Sequence, residues 1–221
     1  NQDGFTYTLN TNISFFLISG RTLTAKAAAF SDSQTSYTLS VTTQDSGGLT
    51  YTDTNLVVNV KRPPTKLSLS PSTLAENNAA GATVGTLSAT DPNGDTNFTY
   101  SLTGGGADNS SFSIDGNSLK ITPSADYETK NSYSIRVRTT DSAGLSYEKS
   151  FIISITNVNE APTAIALSPA TVNMSGPVDT TVGTLTTTDP DTADNSNQDG
   201  FTYTLNTNIS FFLISGRTLT A

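Results

Sequence analysis

Short stretches in which apolar and polar residues alternate recur along the chain and are separated by turn residues. Tyr133–Thr139 places Tyr, Ile, Val and Thr at every second position, and Ser146–Thr156 ends in a similar alternation. A period of two is typical of strands with one buried face, and no long stretch shows the helical period of about 3.6 residues. The pattern therefore predicts an all-β chain.

The best-defined series of strands lies between residues 63 and 162. Turn residues such as Asp115-Gly116, a hairpin signal, separate the alternating stretches. The predicted strands are Lys66–Ser70, Val84–Ala89, Phe98–Leu102, Phe112–Ile114, Leu119–Thr122, Tyr133–Thr139 and Ser146–Thr156. Seven short strands in a segment of this length predict a seven-stranded Greek-key β-sandwich.

The chain repeats itself at two levels. Residues 197–221 are identical to residues 1–25. A weaker similarity relates 36–51 to 132–147 and 67–92 to 165–190. Self-similarity at a long period is typical of tandem arrays. The sequence therefore predicts two related repeats, A and B, of about 98 residues each.

The repeats define the expected domains. Residues 1–62 are the C-terminal part of repeat A, residues 63–162 are a complete repeat B, and residues 163–221 are the N-terminal part of the next repeat A. We expect the chain to be a section of a longer array of sandwiches arranged end to end, with residues 1–62 and 163–221 at opposite ends of repeat B. Each repeat would mainly contact its neighbours.

The composition excludes several kinds of chemistry. The chain has 221 residues and contains neither His nor Cys, which rules out His- or Cys-based catalytic groups, thiolate or imidazole zinc sites and disulfides. The formal net charge is −8, which disfavours nucleic acid as a partner. No apolar run reaches the roughly 20 residues that span a bilayer. Such a chain is suited to binding hard cations through oxygen ligands.

Five acidic or Asn-rich motifs follow one another through repeat B. They are L-A-E-N (74–77), T-D-P-N-G-D (90–95), D-Y-E (126–128), T-D-S-A-G-L (140–145) and N-V-N-E-A-P-T (157–163). In this order and spacing the set resembles the cadherin-like tandem repeats of bacterial surface adhesins and extracellular matrix proteins. The resemblance implies a cadherin- or immunoglobulin-like sandwich.

In that family, acidic residues at the end of one domain, in the linker and at the start of the next bind calcium and stiffen the junction. The resemblance implies a Ca²⁺ site where repeat B meets the next repeat A. Its ligands would be Glu76, Asp126, Glu128, Asn157, Asn159, Glu160, Asp189 and Asp191. Asn157 stands where the family usually has Asp. Asp91, Asn93 and Asp95 also resemble the start of a self-contained calcium loop, but no Glu follows to close it.

The junction from repeat A to repeat B has a different linker, N-V-K-R-P-P, in which Lys61 and Arg62 replace Asn159 and Glu160. We hypothesise that one of these cations stands in for calcium by pairing with Asp91 or Asp141. Calcium would then bind only at the junction from repeat B to repeat A.

These observations indicate a non-enzymatic structural repeat of a long adhesin or matrix fibre, located outside the cell or at its surface. Its partners would be neighbouring repeats or other copies in the fibre. Two alternatives remain open. One is a filament subunit that self-assembles by strand exchange between copies, and the other is a carbohydrate-binding accessory module of a secreted enzyme.

Overall fold

The computed structural model describes residues 4–26, 30, 34–173, 177, 179–191, 200–207 and 210–221. The chain forms two compact units. The first comprises residues 1–72, 83–120 and 134–152, and the second comprises residues 73–82, 121–133 and 153–221. The predicted repeat boundaries at 62 and 162, and the placement of the end segments on opposite sides of repeat B, stay predictions.

The first unit begins with the part of repeat A at residues 4–62. Strands β1 (Thr6–Leu9), β4 (Ser36–Gln44) and β5 (Thr50–Asn59) form an antiparallel sheet in the order β1-β4-β5, and β2 (Phe16–Ser19) pairs with β3 (Thr22–Ala25) in a hairpin. The buried side chains of Phe16, Tyr37 and Leu39 form its core, against which Phe15 and Phe30 pack. Aromatic rings fill the space that one sheet and one hairpin enclose.

Repeat B contributes two four-stranded sheets. One has the order β10-β11-β8-β6 and the other the order β7-β13-β12-β9. Their strands are β6 (Lys66–Ser70), β7 (Thr73–Ala75), β8 (Thr83–Thr90), β9 (Thr99–Leu102), β10 (Phe112–Asp115), β11 (Ser118–Ile121), β12 (Ser132–Thr140) and β13 (Ser146–Thr156). Each of the seven predicted strands is present, and β7, which pairs in parallel with β13, is a short addition that alternation did not predict.

The core of repeat B contains the side chains that the alternating pattern predicts to be buried. On β12 the side chains of Tyr133, Ile135, Val137 and Thr139 are all buried, as one face of the strand requires. No α-helix occurs among the described residues, where the one helical element of repeat B is a short 3₁₀ turn at Asn109–Ser111. The all-β fold class is therefore confirmed.

The second unit ends in a sheet built from the following part of repeat A. Its strands are β14 (Ala164–Ser168), β15 (Thr181–Thr188), β16 (Leu213–Ser215) and β17 (Thr218–Thr220), in the order β14-β15-β17-β16. This is the order of their counterparts β6, β8, β11 and β10 in repeat B. Within the described ranges, no helix has the length and apolar character needed to cross a bilayer.

Both repeats have a glycine at a position where two backbone segments approach closely. Gly85 and Gly183 occupy the same place in the sequence T-V-G-T-L. A Cβ on Gly85 would overlap the carbonyl oxygen of Pro71, and one on Gly183 would overlap that of Pro169. The chain segment after β6 or β14 can therefore cross its neighbouring strand only where no side chain is present.

We predict that Gly85→Ala lowers the free energy of unfolding by about 1–3 kcal/mol, because a backbone carbonyl would have to move away from the new Cβ. Gly104→Ala is the matched control, since a Cβ there meets no atom within 4 Å. Urea denaturation of the two variants measures the difference. Equal stabilities would contradict the close approach at Gly85.

Glu148 on β13 joins two cations of β12. Its Oε2 lies 3.0 Å from Arg136 Nε, and its Oε1 lies 2.6 Å from Arg138 Nη2. The hydrogen bond from Arg138, followed by the charges of Arg138 and Arg136, holds the pKa of Glu148 below its ordinary value against the opposing effect of burial. The folded state therefore favours the ionised carboxylate.

Because this pKa is lower in the folded chain than in the unfolded chain, its contribution to stability is present above the unfolded-state pKa and is lost as the pH falls through the folded-state pKa. We expect Glu148→Gln to be less stable than the unmodified chain at neutral pH, and the gap to close in acid. Urea denaturation over a pH series checks this, and a gap independent of pH would contradict it.

Candidate metal centres

Three glutamates of the second unit come together from separate segments. Glu76 follows β7, Glu128 lies in the D-Y-E loop between β11 and β12, and Glu160 lies in the linker between β13 and β14. One carboxylate oxygen of each lies within 4.8 Å of the other two. All three belong to the predicted ligand set.

Glu76 lies at the centre of this group, and its side chain joins the other two segments. Its Oε2 accepts a hydrogen bond from the backbone N–H of Tyr127 at 2.6 Å, and its Oε1 accepts one from Val158 N–H at 2.7 Å. Only 3% of Glu76 is exposed. Burial of a carboxylate is unfavourable unless its oxygens accept hydrogen bonds, and here both do.

Glu160 carries the most direct indication of a cation. Its Oε1 accepts a hydrogen bond from Asn77 Nδ2 at 2.6 Å, whereas its Oε2 is buried and has no hydrogen-bond partner among the described residues. A buried anionic oxygen without a donor is unfavourable unless a cation contacts it. The donor set of carboxylates and amide oxygens is the one that Ca²⁺ prefers.

Asn157 and Asp191 extend the cluster towards repeat A. Asn157 Nδ2 donates to Glu128 Oε1 at 3.3 Å and to Asp191 Oδ1 at 2.9 Å. Asp191 Oδ2 accepts a hydrogen bond from the backbone N–H of Glu160 at 2.8 Å, and Asp189 Oδ1 accepts one from Asp191 N–H at 2.9 Å. The two aspartates are buried. These contacts place five of the predicted ligands in one hydrogen-bonded neighbourhood around Glu160.

The remaining predicted ligands have other contacts. Both carboxylate oxygens of Asp126 accept hydrogen bonds from Thr129, one from its backbone N–H and one from its hydroxyl, each at 2.8 Å. The backbone bond is the main cause of the lowered pKa of Asp126. Asn159 Nδ2 donates to the carbonyl oxygen of Glu160 at 3.1 Å. For these two residues, as for the other six, a ligand role stays a prediction.

The glutamate cluster is electrostatically unfavourable by itself. Burial, and then the negative charges of Glu76 and Glu160, raise the pKa of Glu128 above its ordinary value, although a backbone hydrogen bond acts against them. Like charges at this separation repel in a partly buried site. A divalent cation would remove this repulsion.

A second acidic cluster lies in the first unit. Carboxylate oxygens of Asp91, Asp95 and Asp141 lie within 4.8 Å of one another. Asp91 Oδ2 and Asp141 Oδ2 are buried and have no hydrogen-bond partner among the described residues. The sequence pattern singled out Asp91 and Asp141 as partners for Lys61 or Arg62, but it did not predict that Asp95 would join them. Asp95 follows Asp91 closely, whereas Asp141 comes from a distant turn, so only the fold brings the three together.

Asn93, in the loop that carries Asp91 and Asp95, binds the linker from repeat A on both sides of Lys61. Its Nδ2 donates to the carbonyl oxygen of Val60 at 2.8 Å, and its Oδ1 accepts a hydrogen bond from Arg62 N–H at 2.8 Å. The sequence pattern indicated Asn93 only as part of a loop that resembles the start of a calcium site, and it did not predict this bridge. We call it the Asn93 clip.

The Asn93 clip has a direct counterpart in the second unit. A shift of 98 positions brings Asn93 onto Asp191 and Arg62 onto Glu160. In both places the linker N–H donates to the loop side chain. The amide of Asn93 can also donate to a carbonyl oxygen, which a carboxylate cannot do. The loop is therefore attached to the linker with a neutral side chain in one unit and a charged one in the other.

The guanidinium of Arg62 contacts backbone oxygens of repeat A. Arg62 Nε donates to Gln34 O at 2.8 Å, and Nη1 lies 3.5 Å from Phe30 O. The predicted ion pair of Lys61 or Arg62 with Asp91 or Asp141 stays a prediction. Asp32 and Met174, which correspond to Glu128 and Glu76 in the alignment of the repeats, lie outside the described residues.

Comparison with known proteins finds similarity at the level of a domain family and of the fold. Residues 71–156 match the cadherin domain family. The structure of protocadherin gamma B7 extracellular cadherin domains 1–4 is 22% identical, with a TM-score of 0.50, and the match covers 99% of this chain and 55% of that one. Domains EC1–3 of mouse protocadherin-24 are 17% identical, with a TM-score of 0.55, covering 100% of this chain and 76% of that one. No curated protein matches the chain.

At these identities the structural matches show the fold alone. The chain spans about half the length of the first of these solved structures. The family match and the sandwich topology together confirm the cadherin-like part of the resemblance.

We predict that Asn93→Ala removes both hydrogen bonds of the Asn93 clip and lowers the free energy of unfolding by about 1–2 kcal/mol. Hydrogen exchange of the Arg62 amide should then accelerate. Asn93→Asp keeps the acceptor for Arg62 N–H and loses only the donor to Val60, so the Arg62 amide should stay protected. Asn55→Ala, at an exposed position of β5, is the control. Unchanged exchange in Asn93→Ala would contradict the clip.

Proposed function

We propose that this chain is a non-enzymatic structural segment of a long extracellular adhesin or matrix fibre, and that calcium stiffens the connection between repeat B and the following repeat A. The observation that carries the proposal is the cluster of Glu76, Glu128 and Glu160. Each of the three comes from a different segment, and a cation bound between them would fix the linker to the base of repeat B.

Several features support calcium as that cation. The ligands on offer are carboxylate and amide oxygens, and Ca²⁺ takes six to eight of them in flexible geometry. Glu160 Oε2 is buried without a donor among the described residues, and the pKa of Glu128 is raised. The family match of residues 71–156 points the same way, since cadherin domains generally bind calcium.

A structural rather than an enzymatic role is supported by composition and by fold. The chain has no His and no Cys, so common nucleophile–base pairs cannot be built. The matched structures are extracellular cadherin domains, and extracellular fluid supplies calcium at the concentrations that weak protein sites need. We therefore place the fibre outside the cell or at its surface, with neighbouring repeats as its partners.

The junction from repeat A to repeat B would be stiffened differently. The Asn93 clip attaches the linker without a metal, Arg62 binds two backbone carbonyls of repeat A, and Pro63-Pro64 restricts the linker backbone. On this basis we keep the hypothesis that calcium acts only at the other junction. Calcium bound by the cluster of Asp91, Asp95 and Asp141 would contradict this hypothesis.

Calcium titration by isothermal calorimetry tests the proposal. Glu160→Gln and Glu128→Gln keep the shape of the side chain and remove one charge each, and we expect either to weaken calcium binding at least about tenfold, which is about 1.4 kcal/mol. Asp115→Asn is the matched control, because Asp115 is an exposed carboxylate paired with Lys120 on the surface. It should bind calcium like the unmodified chain.

Two further readouts sharpen the test. Calcium at about 100 times Kd should raise the free energy of unfolding by about 2.7 kcal/mol, and it should slow hydrogen exchange at the amides of Tyr127, Val158 and Glu160. Unchanged binding in both glutamate variants would overturn the proposal.

Asp141→Asn should titrate like the unmodified chain, and the loss of a second class of sites in that variant would show that the restriction to one junction is wrong.

A further inference from the structure

The dipeptide Asn-Gly occurs once in the sequence, at Asn93-Gly94, in the loop that the Asn93 clip attaches to the linker. Asn-Gly is prone to spontaneous deamidation, because a glycine has no side chain to hinder the approach of its backbone nitrogen to the preceding amide. Gly94 is exposed, has a φ of +79°, and would meet no atom within 4 Å if it carried a Cβ. Water and base can therefore reach the backbone nitrogen that would react.

Hydrogen bonds hold both groups that would react. Asn93 Nδ2 donates to Val60 O and Asn93 Oδ1 accepts from Arg62 N–H, each at 2.8 Å. The N–H of Gly94 donates to Asp91 O at 3.2 Å. Ring closure makes the planar amide carbon tetrahedral and expels Nδ2, so the bond to Val60 has to break. The N–H of Gly94 likewise has to leave Asp91 O before its nitrogen can attack.

We propose that Asn93 is a deamidation site that its own clip protects, and that it reacts after the linker detaches from the loop. The Gly94 N–H gives its proton to base, and the nitrogen attacks Asn93 Cγ to form a new C–N bond. The bond from Cγ to Nδ2 then breaks, and the nitrogen leaves as ammonia. The resulting succinimide takes up one water molecule, which opens the ring at either carbonyl carbon. The product at position 93 is aspartate or isoaspartate.

The clip is suited to such gating because it is a local contact. It consists of two hydrogen bonds between a loop and a linker, and a hydrogen bond of this kind typically contributes about 0.5–1.5 kcal/mol. Local openings of this size occur far more often than global unfolding. Deamidation is irreversible in water, so the modified fraction would record how often the connection between repeat A and repeat B has opened.

The modification would in turn weaken the attachment. Aspartate at position 93 keeps an acceptor for Arg62 N–H, but it has no donor for Val60 O, and it adds a negative charge to a loop that already carries Asp91 and Asp95. Isoaspartate lengthens the backbone by one atom and so displaces the side chain from both linker partners. No step requires a bound metal, so the proposal goes beyond the calcium proposal and does not depend on it.

Peptide mapping by mass spectrometry, which separates asparagine, aspartate and isoaspartate, tests the gating. The full chain is incubated at mildly alkaline pH with excess chelator, once folded and once in urea, and modification of Asn93 is followed over time. We expect deamidation in the folded chain to be at least about tenfold slower than in urea, because only the opened fraction reacts.

Two variants of Arg62 separate the clip from other contacts of the linker. Arg62→Pro removes the N–H that Asn93 Oδ1 accepts, and it should accelerate deamidation of Asn93 in the folded chain about fivefold or more. Arg62→Ala is the matched control. It also loses the guanidinium contact with Gln34 O, but it keeps the backbone N–H, so Asn93 should stay protected.

Asn109 provides an internal reference in the same unit of the chain. It precedes a serine, and its amide is also bonded at both ends, to Thr103 O at 2.6 Å and to Arg136 N–H at 3.0 Å. General loosening of the unit would accelerate both sites, whereas opening of the clip accelerates only Asn93. The ratio of the Asn93 rate to the Asn109 rate should therefore rise in Arg62→Pro and stay unchanged in Arg62→Ala.

Three outcomes would overturn the proposal. If Asn93 does not deamidate in urea, it is not a reactive site. Equal rates in the folded and the unfolded chain would show that the clip gives no protection. The same ratio of Asn93 to Asn109 modification in Arg62→Pro and Arg62→Ala would show that the Arg62 N–H does not control the reaction. Because chelator is present throughout, a failure of the calcium proposal leaves these results unaffected.

Discussion

The buried carboxylate of Glu76 is the constraint on which the geometry of the glutamate cluster depends. It holds the backbone of the D-Y-E loop with one oxygen and the linker with the other. This fixes Glu128 and Glu160 close to it, although all three are negatively charged. The backbone bonds give each oxygen of Glu76 a donor, but they add no positive charge to the cluster. The same contacts that organise the loop thus gather the three carboxylates on which the calcium proposal is based.

The two linkers share one hydrogen-bonding arrangement, but the residues that form it differ in charge. In each, a loop side chain accepts the N–H of the same linker position, which is Arg62 in one and Glu160 in the other. Where the linker residue is a cation, the loop residue is the neutral Asn93. Where the linker residue is an anion, the loop residue is Asp191, and carboxylates accumulate. A few substitutions in a shared framework therefore change the charge at the attachment of loop to linker while its backbone hydrogen bond is retained.

Alternation and turn residues determined seven of the eight strands of repeat B, because a period of two reports directly which face is buried. The resemblance carried by the five motifs likewise indicated Glu76, Glu128 and Glu160, whose carboxylates the fold brings together. Tertiary structure alone decided that Asp95 joins Asp91 and Asp141, that Asn93 bridges Val60 and Arg62, and that Asp126 turns to Thr129. These outcomes depend on side-chain direction and on contacts between distant segments, which spacing along a chain does not encode.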